Sequence, residues 1–475
     1  MDRTKEDQEG CQTAEIFDVG HMFKPCIAIR NAVGRSLIFM LTCLGLSSCA
    51  SVSSPALQPK INGLIVAGQS ALAAEKITAQ ASDYGTGNYV LYHLDRALVL
   101  QLTGDFSSSV VSLEKAKLRQ EELYTRSVTN EASTWVVNDN RAPYRAPEYE
   151  RVLMNVFQSL NYLQMNNLNE ALVEARDLDS KFPVVAGVYG QDKHRFEDNG
   201  FARLLCGILY EAAGTGDDLN DALIAYKQAL TVYDSYYNGQ YVPRVLKNRL
   251  IRMAERFHDP DAGEYRRRFS DVRIEDERPD TATVYLLEAV GFSPVRVAEI
   301  IPVPVDMEFV AKIAFPKFVR RLYAVRGSHF VVQGRPGPVL RVDTELGADI
   351  EELAEKDLEA RKALTLSKSV IRPALKYLVE RNQKDVIEKK HGRVAAELFG
   401  IFSNLYNIYS EQADLRSWQS LPAQVRVARI QVPVGTYRVS IEDVDVNGFM
   451  VASEDKGDVL LKAGQTYFFV RRSLQ

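Results

Sequence analysis

Leu46, Ser47 and Ser48 lead into Cys49 at the end of an apolar run, and the surroundings of that cysteine define a reaction more fully than those of any other residue. Small or aliphatic residues before a cysteine are the features at which a bacterial lipoprotein signal is cut and the thiol acylated, here with palmitate as the expected chain. The apolar core Leu37–Leu46 is about ten residues long, which suits a signal segment and falls short of the roughly 20 needed to span a bilayer. Lys24, Arg30 and Arg35 precede it and supply the positive leader. The residues before Met22 carry Asp2, Glu6, Asp7, Glu9, Glu15 and Asp18 against Arg3 and Lys5, an acidic leader that opposes insertion, so Met22 is the expected start, with Met1 the alternative. Cys43 follows Met40-Leu41-Thr42 and lacks the small residue that the reaction requires before it. Cys49 is therefore the expected lipidation site, and residues 1–48 are the leader and signal peptide.

Other chemistry is harder to assemble. His21, His93, His194, His258, His329 and His391 form no His-Glu-x-x-His pair and have no cysteine at ligand spacing, so no metal site is expected. The chain lacks a Gly-x-Ser-x-Gly elbow and a Walker loop, and no catalytic or cofactor-binding residue is assigned. The carboxylate run Asp349–Asp357 reads as an exposed helix face, with Glu352 and Lys356 at i,i+4 spacing. A glycosidase-type carboxylate pair stays open at this stage. Cys206, inside the apolar string Arg203–Leu209, reads as a small core residue, and with Cys49 acylated no internal disulfide can form in the processed chain.

Removing residues 1–48, which hold five of the 58 Lys/Arg and six of the 62 Asp/Glu, leaves 427 residues with 53 basic and 56 acidic side chains. Such a balance gives no electrostatic reason to expect nucleic acid. The length calls for two or three domains.

The elements that must carry any site begin after a tether over 49–60. A helical region over 61–275 contains three segments of one layout: an apolar-periodic helix, a short polar turn, and a second helix with alanines at close-packing positions. They turn at Thr103–Asp105, Asn166–Asn167 and Gly214–Asp218. Gly104, Asp105, Phe106 and Ala116, together with Leu219, Ala222, Tyr226 and Ala229, resemble the turn and second helix of tetratricopeptide repeats, in which small residues let helices nest. The spacing exceeds the usual repeat of about 34 residues, so inserts are expected at 125–147 and 181–199. Stacked hairpins of this kind leave a groove for peptides or helices. Trp135, Tyr144, Tyr149, Tyr189 and Phe196 in the inserts have a composition that suits either recognition or capping of the array.

The pattern changes after the charged stretch Arg273–Asp280. Strands are expected at Thr281–Val290, Val295–Val305, Arg321–Val325, His329–Gln333 and Val339–Asp343, giving a β-rich segment over 281–345. A helical segment over 348–411 follows, with Lys362–Arg381 and the apolar Ala395–Tyr409 as its helices. Strands at Val425–Val432, Gly435–Ile441, Asp458–Leu461 and Gln465–Arg471 imply a small antiparallel β-sandwich over 413–475. The fold class is thus α+β multidomain, with a mixed α/β middle between a TPR-like α-hairpin array and that sandwich.

With the string Gln412–Pro422 and Gly435-Thr436-Tyr437, the whole processed chain resembles an uncharacterised family of tetratricopeptide-repeat-containing bacterial outer-membrane lipoproteins. The resemblance implies a lipid-anchored, periplasm-facing protein, and Ala50 after the cysteine agrees with sorting to the outer membrane. It implies a non-enzymatic adaptor or scaffold that binds another envelope protein, in peptidoglycan or envelope assembly. An enzyme acting on an envelope polymer, or a structural subunit of a secretion or appendage complex, are the alternatives.

Overall fold

The computed structural model describes residues 57–128, 142–188, 199–274, 278–304, 310–368 and 413–474. Cys49 and the rest of the signal lie outside them. So do Trp135, Tyr189 and Phe196, the helix expected at Ala395–Tyr409, and all of Lys362–Arg381 beyond residue 368.

Ten helices in the first part of the described chain pair into five hairpins. They are α1 (Gln58–Val66) with α2 (Ser70–Ala79), α3 (Tyr89–Leu102) with α4 (Phe106–Val128), α5 (Glu148–Gln164) with α6 (Leu168–Val188), α7 (Gly200–Ala213) with α8 (Gly216–Tyr237), and α9 (Arg244–Arg256) with α10 (Ala262–Arg268). The three hairpins expected from sequence turn by one recipe. A residue in the left-handed region stops the first helix, and the next side chain caps the second. Gly104 (φ 81°) is followed by Asp105, whose Oδ1 accepts from the Ser108 amide at 3.0 Å. Asn166 (φ 54°) is followed by Asn167, which accepts from Glu170 at 3.2 Å. Gly214 (φ 74°) is followed by Thr215, which accepts from Asp218 at 3.2 Å. Gly68 and His258 take the left-handed place in the first and last hairpins, which the sequence reading had not separated as units.

Close nesting of the paired helices follows from the small residues. Ala116, Ala175, Ala222 and Ala229 are fully buried. A Cβ added at Gly207 would lie 2.4 Å from the Tyr226 ring, so α7 and α8 approach more closely than any side chain at that position permits.

The strands pair across the sequence. The mixed sheet has the order β10 (Thr466–Ser473), β1 (Thr281–Val290), β7 (Gln424–Pro433), β6 (Glu345–Asp349), with β1 parallel to β10 and antiparallel to β7. An antiparallel sheet has the order β5 (Val339–Asp343), β4 (Gly327–Gly334), β8 (Gly435–Val444), β9 (Met450–Leu461). A separate ribbon pairs β2 (Val295–Pro304) with β3 (Val310–Val319). Strands from 413–475 therefore interleave with strands from 281–345, where a self-contained antiparallel sandwich over 413–475 was expected. The physical reason lies in β1. Its alternate side chains Tyr285, Leu287 and Ala289 join the helical core, while Ala282, Val284 and Leu286 join a second core with Phe330, Val332, Val439 and Ile441. A strand apolar on both faces must be covered on both, and it takes a central place with partners on each edge.

Residues Ser53–Gln475 consequently form one compact unit. Arg321–Val325, expected as a strand, is irregular: Arg321 Nε donates to the Ser293 carbonyl at 2.7 Å and packs on Phe292. Helix α11 (Ile350–Lys368) follows β6 directly.

Candidate functional site

The groove that hairpin arrays offer to partners is filled here by the chain itself. Each first helix of the five hairpins meets either the mixed sheet or the strap formed by residues 413–423. Gln58 on α1 donates to the Ser417 carbonyl at 3.5 Å and to Asp95 at 2.7 Å. Asp95 on α3 also accepts from Tyr84 at 3.1 Å and from the Ser420 hydroxyl at 2.8 Å. Glu150 on α5 accepts from the Trp418 amide at 3.1 Å and from the hydroxyls of Tyr144 (2.6 Å) and Tyr149 (3.1 Å). Gln164 at the end of α5 donates to Val470 of β10 at 2.7 Å. Phe201 on α7 lies against Gly347 of β6, and Arg244 on α9 pairs with Glu345 at 2.8 Å.

Trp418 anchors the strap. It is 1% exposed and meets Phe157 of α5 edge-on, with ring centroids 6.0 Å apart. Arg416 Nη1 reaches back to Asn88 and to the Ala142 carbonyl, each at 3.0 Å. The strap is held by carboxylates bonded to neutral donors in a dry place. Burial pushes Asp95 upward and Glu150 to about 6. Tyr144 and Tyr149, which the sequence left between recognition and capping, are buried donors to Glu150 and serve the core.

A carboxylate pair does exist, and the structure seals it. Glu288 of β1 and Asp443 of β8 share the Ser328 hydroxyl at 2.7 and 2.8 Å, and Arg471 of β10 bonds both. These two carboxylates are essentially without solvent exposure, so no polymer can reach them. Ion pairs tie β1, β8 and β10 together, and the Ser328 hydroxyl joins β4 to them by hydrogen bonds. The run Asp349–Asp357 is less exposed than expected: Glu351 and Asp357 are buried, and burial raises Glu351 to about 7. Glu352 and Lys356 do pair, at 2.7 Å.

The histidines remain apart. His93 is buried between Tyr89 and Tyr92 and is pushed down to about 4 by burial. His258 makes a turn, and His329 Nδ1 lies 2.5 Å from Asp343. His21, His194 and His391 lie outside the described residues. Among the described residues, acidic, histidine and cysteine side chains form no group able to hold a metal, and no helix is long and apolar enough to cross a membrane. Cys206 is buried, with Sγ 3.7 Å from the Ala175 carbonyl.

The outer face, built from the second helices, has a different character. Val111, Val173 and Ile224 occupy one repeat position, five residues beyond Phe106, Leu168 and Leu219, and are 52%, 52% and 46% exposed. Lys117–Glu174 (2.8 Å) and Arg176–Asp218 (3.0 Å) bring α4, α6 and α8 together as neighbours, so these residues recur along one side of the array. The sequence signal was present in the shared layout, but periodicity alone assigned such residues to a core.

No protein-family model matches the chain, and no curated protein sequence matches it. Weak structural neighbours are TPR-like repeat proteins. The nearly identical TPR-like repeats of a kinesin-light-chain candidate from Podospora anserina align at 13% identity with a TM-score of 0.30, over 46% of this chain and 93% of that one. BtubC (BKLC) from P. vanneervenii aligns at 13% identity with a TM-score of 0.22, over 53% and 96%. At these scores the helical-repeat description rests on the five turns and the nested helices of this chain.

Proposed function

We propose that this protein is a non-catalytic scaffold that holds another cell-envelope protein on the outer, second-helix face of its TPR-like hairpins. In the same reading, an acylated Cys49 tethers it to the periplasmic side of the outer membrane. The observation that carries the proposal is the recurrence of Val111, Val173 and Ile224 at one repeat position, exposed on three neighbouring helices. Single exposed aliphatics are ordinary, whereas a row of them built by a repeat is a surface that a partner can cover. The filled first-helix face supports the same choice, because α1, α3 and α5 are engaged by residues 413–423 and α7 and α9 by β6. Glu288 and Asp443 are sealed from solvent, so this pair could not serve an envelope-polymer enzyme as its acid and base.

The test is site-specific photo-crosslinking in cells, with the crosslinker placed in turn at Val111, Val173 and Ile224, and at Ser440 on the outer face of the antiparallel sheet. A discrete adduct from the helical sites and none from Ser440 is expected. Absence of adducts from all three helical sites would overturn the scaffold reading. The anchor is tested by Cys49→Ser, which should leave the membrane fraction or remain unprocessed; unchanged fractionation and processing would remove it.

A further inference from the structure

Arg471 and Arg472 are neighbours on β10 with opposite surroundings, because successive side chains of a strand point to opposite faces. Arg471 bonds Glu288 and Asp443, whereas Arg472 lies on the face that Phe468 and Val470 turn to the helical core. There its Nη2 donates to the Gly291 carbonyl at 3.3 Å, and its Nε and Nη1 have neither a hydrogen-bond partner nor contact with solvent. Arg151, Arg249 and Arg416, also buried, pair with Glu148, Glu211 and Asp414. Among the described residues no carboxylate pairs with Arg472, and its charged neighbour is a second cation. Arg321 and Arg472 both lie over the ring of Phe292, at 4.7 and 5.3 Å from its centroid. Arg321 is committed to the Ser293 and Gln419 carbonyls, and the fields of Asp95 and Glu351 reach it but not Arg472. Burial first, and then Arg321, hold the Arg472 guanidinium down to about 9. A buried cation with free donors is costly unless a counter-charge meets it.

We infer that Arg472, with Arg321 beside it, forms an internal binding site for a small oxyanion such as phosphate. The unpartnered nitrogens of Arg472 can only donate, and a guanidinium suits the oxygens of phosphate. Two cations over one ring favour a doubly charged guest. Because Arg321 already holds Gln419 of the strap and Arg472 stands at the end of β10, an anion between them joins the strap to the mixed sheet. The site is independent of what covers the outer helical face.

The experiment follows thermal unfolding of the full chain in detergent while phosphate replaces gluconate, a bulky reference anion, at constant ionic strength. Phosphate should raise the melting temperature with the logarithm of its concentration, by about 3 °C at a hundred times its dissociation constant for a chain of this length. Exclusion of phosphate from the protein surface, by contrast, stabilises any chain in proportion to concentration. Arg472→Met should lose the rise and, with no unpaired cation to bury, should melt no lower than the unmodified chain in gluconate. An arginine with a merely structural role would do the opposite, melting lower on replacement and keeping the phosphate response. Arg438→Gln, at an exposed place on the antiparallel sheet, should keep the rise. Equilibrium dialysis of the unmodified chain with radiolabelled phosphate gives a second measurement that needs no variant to fold, and one anion per chain is expected. The inference is overturned if dialysis retains no phosphate, if the rise is proportional to concentration, or if Arg472→Met keeps it.

Discussion

Replacing Trp418 by alanine tests whether the strap couples the helical array to the sheets. The indole is 1% exposed, and its Nε1 has no hydrogen-bond partner, so the loss is one of packing against Phe157 and its neighbours with little polar contribution. Truncating a buried tryptophan costs about 3–5 kcal/mol, the transfer term plus the cavity left behind. The strap's hydrogen bonds to Asp95 and Glu150 use the Ser420 hydroxyl and main-chain amides, which Trp418→Ala retains. For a chain of this size the urea dependence is near or above about 3 kcal/mol per molar, so a cost of about 4 kcal/mol moves the midpoint down by roughly 1 M. Urea unfolding followed by far-UV circular dichroism measures it on the purified full chain, with fluorescence from the two tryptophans as a second probe of the unmodified protein. Because residues Ser53–Gln475 form one unit, helix and strand signals should fall together. A loss below about 1 kcal/mol, or a helical transition that stays in place while the strand signal shifts, would refute the coupling.

The sealed charge cluster makes a second prediction. Arg471→Met leaves Glu288 and Asp443 buried without their shared cation, and thermal melting should report a loss of about 3–5 kcal/mol; retention within about 1 kcal/mol would mean that the pair is not held by charge. Glu150 makes a third. Its carboxyl titrates near 6 in the folded chain against an ordinary 4.5, so the folded state binds the proton more tightly. Its stabilising contribution is therefore complete below about pH 4.5 and is lost as pH rises through 6, by about 2 kcal/mol in all. Urea stability measured from pH 4.5 to 6.5 should show that slope reduced in Glu150→Gln, and equal slopes in the two proteins would contradict it.

The local elements were readable because their causes are local. Gly104-Asp105 and Gly214-Thr215 stop one helix and cap the next within adjacent residues, and β1 was bounded correctly by its run of strand formers. The α9–α10 hairpin escaped notice because His258, and not glycine or asparagine, takes the left-handed place. Strand β3 was hidden by Pro316 and two lysines, and β6 by its bulge between Leu346 and Ala348. The site was less legible than the fold. Asp95 and Ser420 meet across 325 residues, and Glu150 and Trp418 across 268, distances over which periodicity carries no information. The string around Trp418 stood out as unusual, but the reason, that it fills the array's own groove, depends on tertiary packing. Thr281–Val290 reads as an alternating run of strand formers, which predicts one buried face; its burial on both faces depends on the partners that tertiary packing brings to each side.

The strap also imposes an order on folding. Within each hairpin the two helices are sequence neighbours, and such short-range contacts form quickly, whereas closing a loop of several hundred residues is entropically costly and slow. The array can thus assemble from its own hairpins well before residues 413–423 and the central strands arrive. During that interval Asp95, Glu150 and Phe157 are still open to water, and the face that the finished protein hides is the one a chaperone would meet first.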